Sequence, residues 1–275
     1  MTAHLAAALR EHFGPDGLRA IGADQGLLRD PGLPAQVGPY FAAPNRGEPS
    51  LLGGFASLRG LTAGEAGGCT RIGTDRGAQL YEAPDGSVRA VLLGTSQPEM
   101  AVNTSVEAFA SGLLLLDRML PAVADPDAVE QSFASYLVLR RELMALDPAA
   151  FAERESWWPR VLDDLRRPLN TDSSAALEYN DENGDKQVVT ATGGPGDPHP
   201  EEIAWYRLEA AGVSPGQVTR VYCELQPCLM PGHYCALWMA EVFPTAEFTH
   251  RYDYGRTAAS REAGIKELMT GLAEL

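Results

Sequence analysis

The chain has few cysteines, little positive charge and no long apolar stretch. Only four of its 275 residues are Cys, too few for the dense disulfide framework of a small secreted domain. Lys and Arg number 22 against 37 Asp and Glu, a net charge of −15 that disfavours broad binding to a phosphate backbone. No run approaches the ~20 apolar residues of a membrane span, and residues 1–10 lack the apolar core of a secretory signal. We therefore expect a soluble, cytoplasmic protein.

The hydrophobic residues are plentiful enough for more than one core. They make up 45% of the 275 residues, which is sufficient for two packed domains and argues against bulk disorder. Changes in composition along the chain predict a domain over residues 1–150, a linker over 151–174 and a second domain over 175–275. Trp157 and Trp158 lie in the linker, and we expect them to dock on one of the domains. Residues 169–174 are predicted to form a boundary loop.

The first part carries strand signals followed by helix signals. Asp85-Gly86 predicts a hairpin turn between strands at 79–82 and 88–93. Asn103-Thr104-Ser105 provides an N-cap for a long helix that begins at Val106. Strands followed by helices predict an α+β domain.

Several short motifs of this part resemble those of a known superfamily. They are Gly32-Leu33-Pro34, Ile72-Gly73, Asp85-Gly86-Ser87-Val88, and Val102-Asn103-Thr104-Ser105 with Phe109 in the helix that follows. Together they resemble the SUKH superfamily, in particular its SUKH-4-like immunity proteins, over about residues 13–140. The resemblance implies a protein-binding module that neutralises or accompanies polymorphic toxins of bacteria, and it implies no enzyme chemistry.

The last hundred residues alternate between strand and helix signals in the order β-β-α-β-α-β-α. An Asn-Gly turn at Asn183-Gly184 separates the first two strands. The order predicts a sheet with helices on its faces. The predicted elements cover 176–179, 186–192, 200–211, 218–225, 234–242, 247–254 and 260–275.

One His, one Glu and two Cys stand here in an order that has chemical meaning. His199-Pro200-Glu201 begins the first helix of this region, and Pro227-Cys228 and Cys235 frame the start of the next. Zinc-dependent deaminases carry H-x-E followed by P-C-x-x-C, and here the second half is stretched to P-C-x6-C. Zinc activates water from three protein ligands and an open position, while a carboxylate that does not bind the metal moves protons. Helix N-termini favour the thiolate form of cysteine.

This region resembles the nucleic-acid and nucleotide deaminases of bacterial polymorphic toxin systems over about residues 176–255. The resemblance implies a three-layer cytidine deaminase-like α/β fold with one catalytic zinc. His199, Cys228 and Cys235 would be its ligands and Glu201 its proton shuttle, with His233 as a substitute for Cys235. The motifs that carry the resemblance are His199-Pro200-Glu201-Glu202, the segment from Tyr222 to Cys228, His233-Tyr234-Cys235, Phe243-Pro244 and Tyr252-Asp253-Tyr254-Gly255.

Other interpretations of these residues stay open from the sequence. A closed structural zinc site of His199, Cys228, His233 and Cys235 would leave no position for water. A Cys228–Cys235 disulfide fits poorly with a reducing compartment. Cys223 is expected to be a buried apolar thiol on a strand face, and Glu202 a solvated acid of the first helical turn.

The leading hypothesis is a zinc-dependent hydrolase that acts on the amidine C–N bond of cytosine and forms uracil, in single-stranded nucleic acid. Tyr252 and Tyr254 are expected to bind the substrate by stacking on the base. A free-nucleotide deaminase is one alternative. The other is a toxin–immunity binding protein whose deaminase-like domain is inactive or regulated, which is motivated by acidic residues scattered over the first part: Asp24, Asp30, Glu48 and Glu65.

Overall fold

The computed structural model describes residues 2–22 and 26–273, which divide into two compact units. One unit comprises the residues up to Ala122 together with Ala134–Leu162, and the other comprises Val123–Phe133 and the residues from Asp163 onward. Asp24 lies outside the described residues. Within the described part, no helix combines the length and the hydropathy that a bilayer crossing requires.

The first unit is built on an antiparallel six-stranded sheet in which the strands follow one another in chain order. Asp85 accepts hydrogen bonds from the backbone and the hydroxyl of Ser87, and Gly86 has a φ of 80°, so the predicted hairpin turn is formed. A separate pair of strands lies before the sheet. The strands are β1 Leu18–Arg19 and β2 Leu33–Pro34 in the pair, and β3 Gln36–Val37, β4 Phe41–Ala42, β5 Thr70–Thr74, β6 Gln79–Glu82, β7 Val88–Val91 and β8 Met100–Asn103 in the sheet.

Four helices belong wholly or largely to this unit. The hydroxyl of Ser105 accepts a hydrogen bond from the backbone N–H of Ala108 at 3.1 Å, so the predicted N-cap is in place. The short strands β1–β4 were not predicted, because two residues are too few to display an alternating pattern. The helices are α1 Thr2–Phe13, α2 Leu52–Leu58, α3 Val106–Val123 and α4 Val129–Leu146, and short 3-10 helices cover Gly64–Gly68 and Pro148–Phe151.

The two tryptophans of the predicted linker are buried in the first unit. Trp157 donates to Asp75 at 2.7 Å, and Trp158 donates to Asn103 at 2.8 Å. Both begin helix α5, Trp157–Asn170, where the sequence predicted a linker with a boundary loop from residue 169. Residues 157–162 of this helix belong to the first unit and residues 163–170 to the second.

The second unit contains a four-stranded sheet with the strand order β10-β9-β11-β12. The pairs β10/β9 and β9/β11 are antiparallel, and β11/β12 is parallel. The chain order β-β-α-β-α-β-α is the predicted one, with bounds that differ by a few residues. The elements are β9 Ser173–Asn180, β10 Lys186–Gly193, α6 Pro200–Ala210, a 3-10 turn Pro215–Gln217, β11 Val218–Leu225, α7 Cys235–Val242, β12 Glu247–Tyr252 and α8 Ala258–Ala273. Residues 274 and 275 of the predicted last helix lie outside the described part.

The strand directions bring four strand ends to one edge of this sheet. Gly193 at the end of β10 pairs with Ser173 at the start of β9. The start of β9 lies beside the end of β11, because Ala175 pairs with Cys223 in an antiparallel register. Parallel pairing then places the ends of β11 and β12 together. Ligands bind at the carboxyl ends of strands in such sheets, and every segment that leaves this edge carries polar side chains.

Candidate metal centre

His199 stands at the N-cap of helix α6, directly after the loop that leaves β10. Its backbone N–H donates to the carboxylate of Glu202 at 3.0 Å. Pro200 occupies the first helical position, where its missing N–H costs nothing. These local interactions fix the point at which the helix begins, and they hold the His199 side chain at the edge of the sheet.

The loop between the two cysteines is longer than in C-x-x-C but returns on itself. Gly232 has a φ of 85° and Tyr234 a φ of 45°, left-handed conformations that turn the chain sharply. The carbonyl of Met230 accepts hydrogen bonds from the backbone of residues 233 and 234, and Ala236 donates to the carbonyl of Cys228 at 3.0 Å. The six intervening residues therefore form a compact turn that brings Cys235, the first residue of α7, back to Cys228.

His199, Cys228 and Cys235 meet around one point. The His199 Nδ1 lies 3.5 Å from the Cys228 Sγ and 3.4 Å from the Cys235 Sγ, and all three residues are buried. Zinc–sulfur bonds of about 2.3 Å and zinc–nitrogen bonds of about 2.0 Å in a tetrahedron separate S and N by about 3.5 Å. The two N–S separations therefore match those of ligands on one zinc ion, and all three ligand atoms lie within 4.8 Å of one another. No disulfide joins the cysteines, which are free thiols.

Two buried carboxylates hold the histidines in place. Asp164, from helix α5, lies 3.0 Å from the His199 Nε2 and 3.3 Å from the His233 Nε2. Glu202 lies 2.6 Å from the His233 Nδ1. The two imidazoles stack with centroids 3.8 Å apart. Both ring nitrogens of His233 thus face carboxylates. Among the described residues, Cys235 and not His233 brings its ligand atom together with those of His199 and Cys228.

Glu202 is therefore not the solvated acid that its place in the first helical turn predicted. It is 4% exposed, and one of its oxygens accepts from both the His199 backbone and the His233 ring. The prediction was wrong because the loop before α7 folds over the start of α6, which only the tertiary structure determines. Cys223, in contrast, is buried on the strand face that it shares with Val221 and Leu225, as predicted.

The surroundings of Cys228 and Cys223 shift the pKa values of their thiols in opposite directions. Burial disfavours the Cys228 thiolate, but a hydrogen bond from Cys235 and the charge of His199 bring the Cys228 pKa well below that of a free thiol. Burial likewise opposes the charged form of His199, yet Cys228 and Asp164 raise its pKa to about 10. Burial and the neighbouring Glu201 raise the pKa of Cys223, so this thiol stays protonated. Metals bind thiolates, and the environment favours the thiolate at Cys228.

Glu201 is an acidic residue beside the candidate metal ligands, but it is not itself one of those ligands. It is 7% exposed and lies close enough to Cys223 to raise the pKa of that thiol. Burial raises the Glu201 pKa, although the charge of His199 opposes the increase. A buried carboxyl with a raised pKa, held beside a ligand cluster, has the properties of a group that gives and takes protons.

A small cavity lies against these side chains. The volume open to a water-sized sphere is about 20 Å³. It lies within about 290 Å³ of empty space that continues into open solvent. A volume of this size is enough for about one water molecule. The residues that line it are Arg167, Ser173, Ser174, His199, Pro200, Glu201, Leu225, Gln226, Cys228 and Tyr254.

The two tyrosines that were predicted to bind the substrate lie in different surroundings. Tyr254 lines the cavity and is 3% exposed. Tyr252 is not among the lining residues. Its hydroxyl lies close to the backbone of Gly271 in helix α8, and the stacking of Tyr252 on a base stays a prediction.

Two polar residues of the site lie in the segment that the sequence predicted to be a linker. Asp164 and Arg167 are one helical turn apart on α5, and they are 4% and 7% exposed. Their i, i+3 spacing beside buried Val161 and Leu165 was the available signal. The signal was missed because charged residues on a short helix are normally solvated.

Two family models match the chain, one in its first part and one in its last part. The model of the SUKH-4 immunity protein family matches residues 6–164, and the chain belongs to that family. The model described as Xanthomonas-like deaminase matches residues 170–271, so the chain also carries a deaminase-like domain. Both resemblances read from the sequence motifs are thereby confirmed. No curated protein and no solved structure shows a significant match.

Proposed function

We propose that the deaminase-like domain is a zinc-dependent hydrolase that converts cytosine to uracil, on a three-layer cytidine deaminase-like fold. The observation that carries the proposal is the meeting of His199 Nδ1 with the thiols of Cys228 and Cys235 at 3.4 to 3.5 Å, beside buried Glu201. These are the ligand and acid types of nucleobase deaminases, in the same chain order.

The donor set fits zinc in number and in kind. One imidazole and two thiols suit Zn²⁺ better than hard cations such as Mg²⁺ or Ca²⁺, which prefer oxygen. Asp164 holds the far nitrogen of His199, an arrangement that orients a metal-binding histidine and raises its basicity. When bound there, zinc would lower the pKa of a water molecule towards neutrality.

The arrangement supports an open site over a closed structural one. A fourth protein ligand would have to come from His233, whose two ring nitrogens already face Asp164 and Glu202. The cavity next to the ligands has room for about one water. Three protein ligands and one place for water is the composition of catalytic zinc sites.

Glu201 has a role only in the catalytic interpretation. It lines the cavity and is buried. From there its carboxyl group can take a proton from water, give a proton to the ring nitrogen of the base, and then protonate the departing amine. The hydroxide that remains from the water adds to C4 of the base, and Glu201 passes the proton of the new C4 hydroxyl to the amine. The C4–N bond then breaks, the C4 carbonyl forms, and ammonia leaves.

For the substrate, we propose cytosine in single-stranded nucleic acid, bound over few nucleotides. The net charge of −15 disfavours extensive phosphate contacts. Arg251 is exposed beside the cavity-lining segment, with its guanidinium 5.1 Å from the ring centre of Tyr252, and it offers a local phosphate contact. A deaminase of free nucleotides is the alternative, and its rate should respond far less to salt than that of a nucleic-acid deaminase.

The decisive experiment compares the wild-type chain with Glu201→Gln. Both proteins should hold about one zinc per chain. The variant should lose about 100- to 10,000-fold in turnover of cytosine, measured as uracil formed in single-stranded DNA, single-stranded RNA and free nucleotides. Glu209→Gln, an exposed substitution on the same helix, is the matched control. Loss of zinc from Glu201→Gln, or no uracil from the zinc-loaded wild type in any pool, would refute the proposal.

A second function follows from membership of the SUKH-4 family: the first unit binds a toxin-related protein partner in the cytoplasm. The acids that first motivated a binding role are in part engaged, because Glu48 pairs with Arg71 and Asp30 with Arg10. The same unit has a cavity of about 310 Å³ lined by Arg19 and Arg46 among others.

These arginines favour an acidic segment of the partner. Arg46→Glu should abolish retention of that partner on the immobilised chain, whereas exposed Arg141→Glu should not. Equal retention by both variants would contradict this site. The four free cysteines agree with a reducing compartment.

A further inference from the structure

Hydrogen-bond donors converge on the cavity beside Glu201 from three separate elements. Arg167 comes from helix α5, Gln226 from the end of strand β11 and Tyr254 from the segment after β12. None of the three has a role in the zinc and proton-transfer chemistry described above. Each has polar atoms that its protein neighbours leave available.

Arg167 is a buried cation with spare donors. Its side chain is 7% exposed, and the one side-chain hydrogen bond that the described residues give it is to the Ser173 hydroxyl, at 2.8 Å. A guanidinium has five N–H donors in a planar fork. Burying such a group is costly unless its donors find acceptors. Arg167 therefore lines the cavity with most of its hydrogen-bonding capacity unused.

Gln226 is oriented by the backbone opposite it. Its Oε1 accepts hydrogen bonds from the backbone N–H of Tyr254 at 3.3 Å and of Gly255 at 2.9 Å. Since the oxygen is occupied, the NH₂ group is the free end of the amide. Gln226 thus adds a second donor to the lining of the cavity.

Tyr254 supplies the third donor, and its hydroxyl has no hydrogen-bond partner among the described residues. The residue is 3% exposed and lines the cavity. An unpaired buried hydroxyl is rare in folded proteins and costs stability. A ligand that brings an acceptor oxygen into the cavity would satisfy it.

We propose that Arg167, Gln226 and Tyr254 bind the O2 carbonyl of the target base and so select cytosine over adenine. The inference rests on the proposed deaminase function and specifies its substrate. In cytosine, the carbonyl at C2 adjoins the ring nitrogen that Glu201 would protonate, so donors and acid would act on neighbouring atoms from one cavity. Adenine has no carbonyl and would leave the donors unpaired. Sites built to pair a polar substrate group discriminate strongly against analogues that lack it.

The size of the cavity agrees with an oxygen atom in this place. The room for a water-sized sphere is about 20 Å³, and the space opens to solvent beyond it. That enclosed room is the place of the water molecule, so the carbonyl oxygen would lie next to it, in the surrounding empty space of about 290 Å³. The ring that carries the carbonyl would extend into the open part of the cavity.

The test uses the full zinc-loaded chain and two single-stranded oligonucleotides that differ in one atom. One contains cytosine and the other 2-thiocytosine, whose sulfur is a weak acceptor. We expect the wild type to deaminate the thio substrate about 10- to 100-fold more slowly in kcat/KM. In Arg167→Gln, the kcat/KM for deamination of cytosine should fall by a similar factor. The difference in kcat/KM between the two substrates should largely disappear, because the interaction of residue 167 with the O2 position is already lost. Exposed Arg166→Gln on the same helix is the matched control and should behave as the wild type.

Each outcome separates this inference from the function on which it rests. If the wild type forms uracil but Arg167→Gln keeps the full difference between the substrates, the assignment of Arg167 to O2 is overturned while the deaminase function stands. If the zinc-loaded wild type forms no uracil, both fail. Should Arg167→Gln lose zinc or unfold, Tyr254→Phe serves in its place, since it removes only the hydroxyl. It should also reduce the difference between the substrates.

Discussion

Replacing Asp164 by Asn tests whether helix α5 belongs to the metal centre. The carboxylate lies 3.0 Å from the His199 Nε2, on the side opposite to the nitrogen that faces the two thiols. It is 4% exposed, so solvent screens its charge little. Asn has the same shape but carries no charge, and it should leave His199 a weaker ligand while disturbing the fold least.

The expected effect is a loss of zinc affinity of about 10- to 100-fold, the range observed when the outer partner of a metal-binding histidine is changed. This corresponds to about 1.4 to 2.7 kcal/mol of binding free energy. The affinity is measured by equilibrium competition with a chelator of known zinc affinity. Thermal unfolding of the zinc-loaded protein is followed in parallel, because Asp164 also neutralises His233.

Exposed Asp172→Asn provides the control for the loss of one carboxylate from the same segment. It should bind zinc as the wild type does. An unchanged zinc affinity in Asp164→Asn, with a protein that unfolds at the wild-type temperature, would refute the argument that this carboxylate orients His199. An equal loss in both variants would indicate a general effect of charge.

Three further predictions concern the thiols and the buried polar pairs. Cys228→Ser should lose stoichiometric zinc while Cys223→Ser retains it, as metal analysis after dialysis will show, because Cys228 belongs to the group of candidate ligands and Cys223 does not. Glu202→Ala should lower the free energy of unfolding by about 3 kcal/mol or more, since it removes one of the two buried carboxylates that face His233 and the acceptor of the His199 backbone N–H, whereas exposed Glu209→Ala should have little effect in the same denaturant titration. Trp158→Phe should cost about 1 to 3 kcal/mol in that assay, because it removes the hydrogen bond to Asn103.

The elements of the second unit were largely predictable because their patterns are local. Strand β11 has the predicted bounds, and helix α6 begins at the predicted Pro200. Alternating apolar residues, an Asn-Gly turn and a proline at a helix start each act within a few residues. The roles that we propose for His199, Glu201, Cys228 and Cys235 could be inferred from the sequence for the same reason, since they depend on residue type and order.

The predictions that were wrong concern residues whose positions depend on contacts between distant segments. Residues 151–174 carry both apolar and charged side chains. The spacing of Asp164 and Arg167 beside apolar residues is compatible with burial, but it does not identify the polar partners that make their burial favourable. Glu202 is another case, because its partner His233 lies 31 residues further along the chain. Burial of a charged residue is favourable only when its partners are present, and a single sequence does not reveal those partners.

By itself, the sequence determined which atoms are available for metal binding and proton transfer, and on which helix starts they stand. Only the tertiary structure decided that Cys235, rather than His233, lies with His199 and Cys228, since the turn at Gly232 and Tyr234 returns the chain over six residues. The tertiary structure also decided that helix α5, which precedes the deaminase-like domain, contributes Asp164 and Arg167 to the site. Ligand geometry is set by the meeting of strand ends at one sheet edge, and that meeting depends on pairing between residues far apart in the chain.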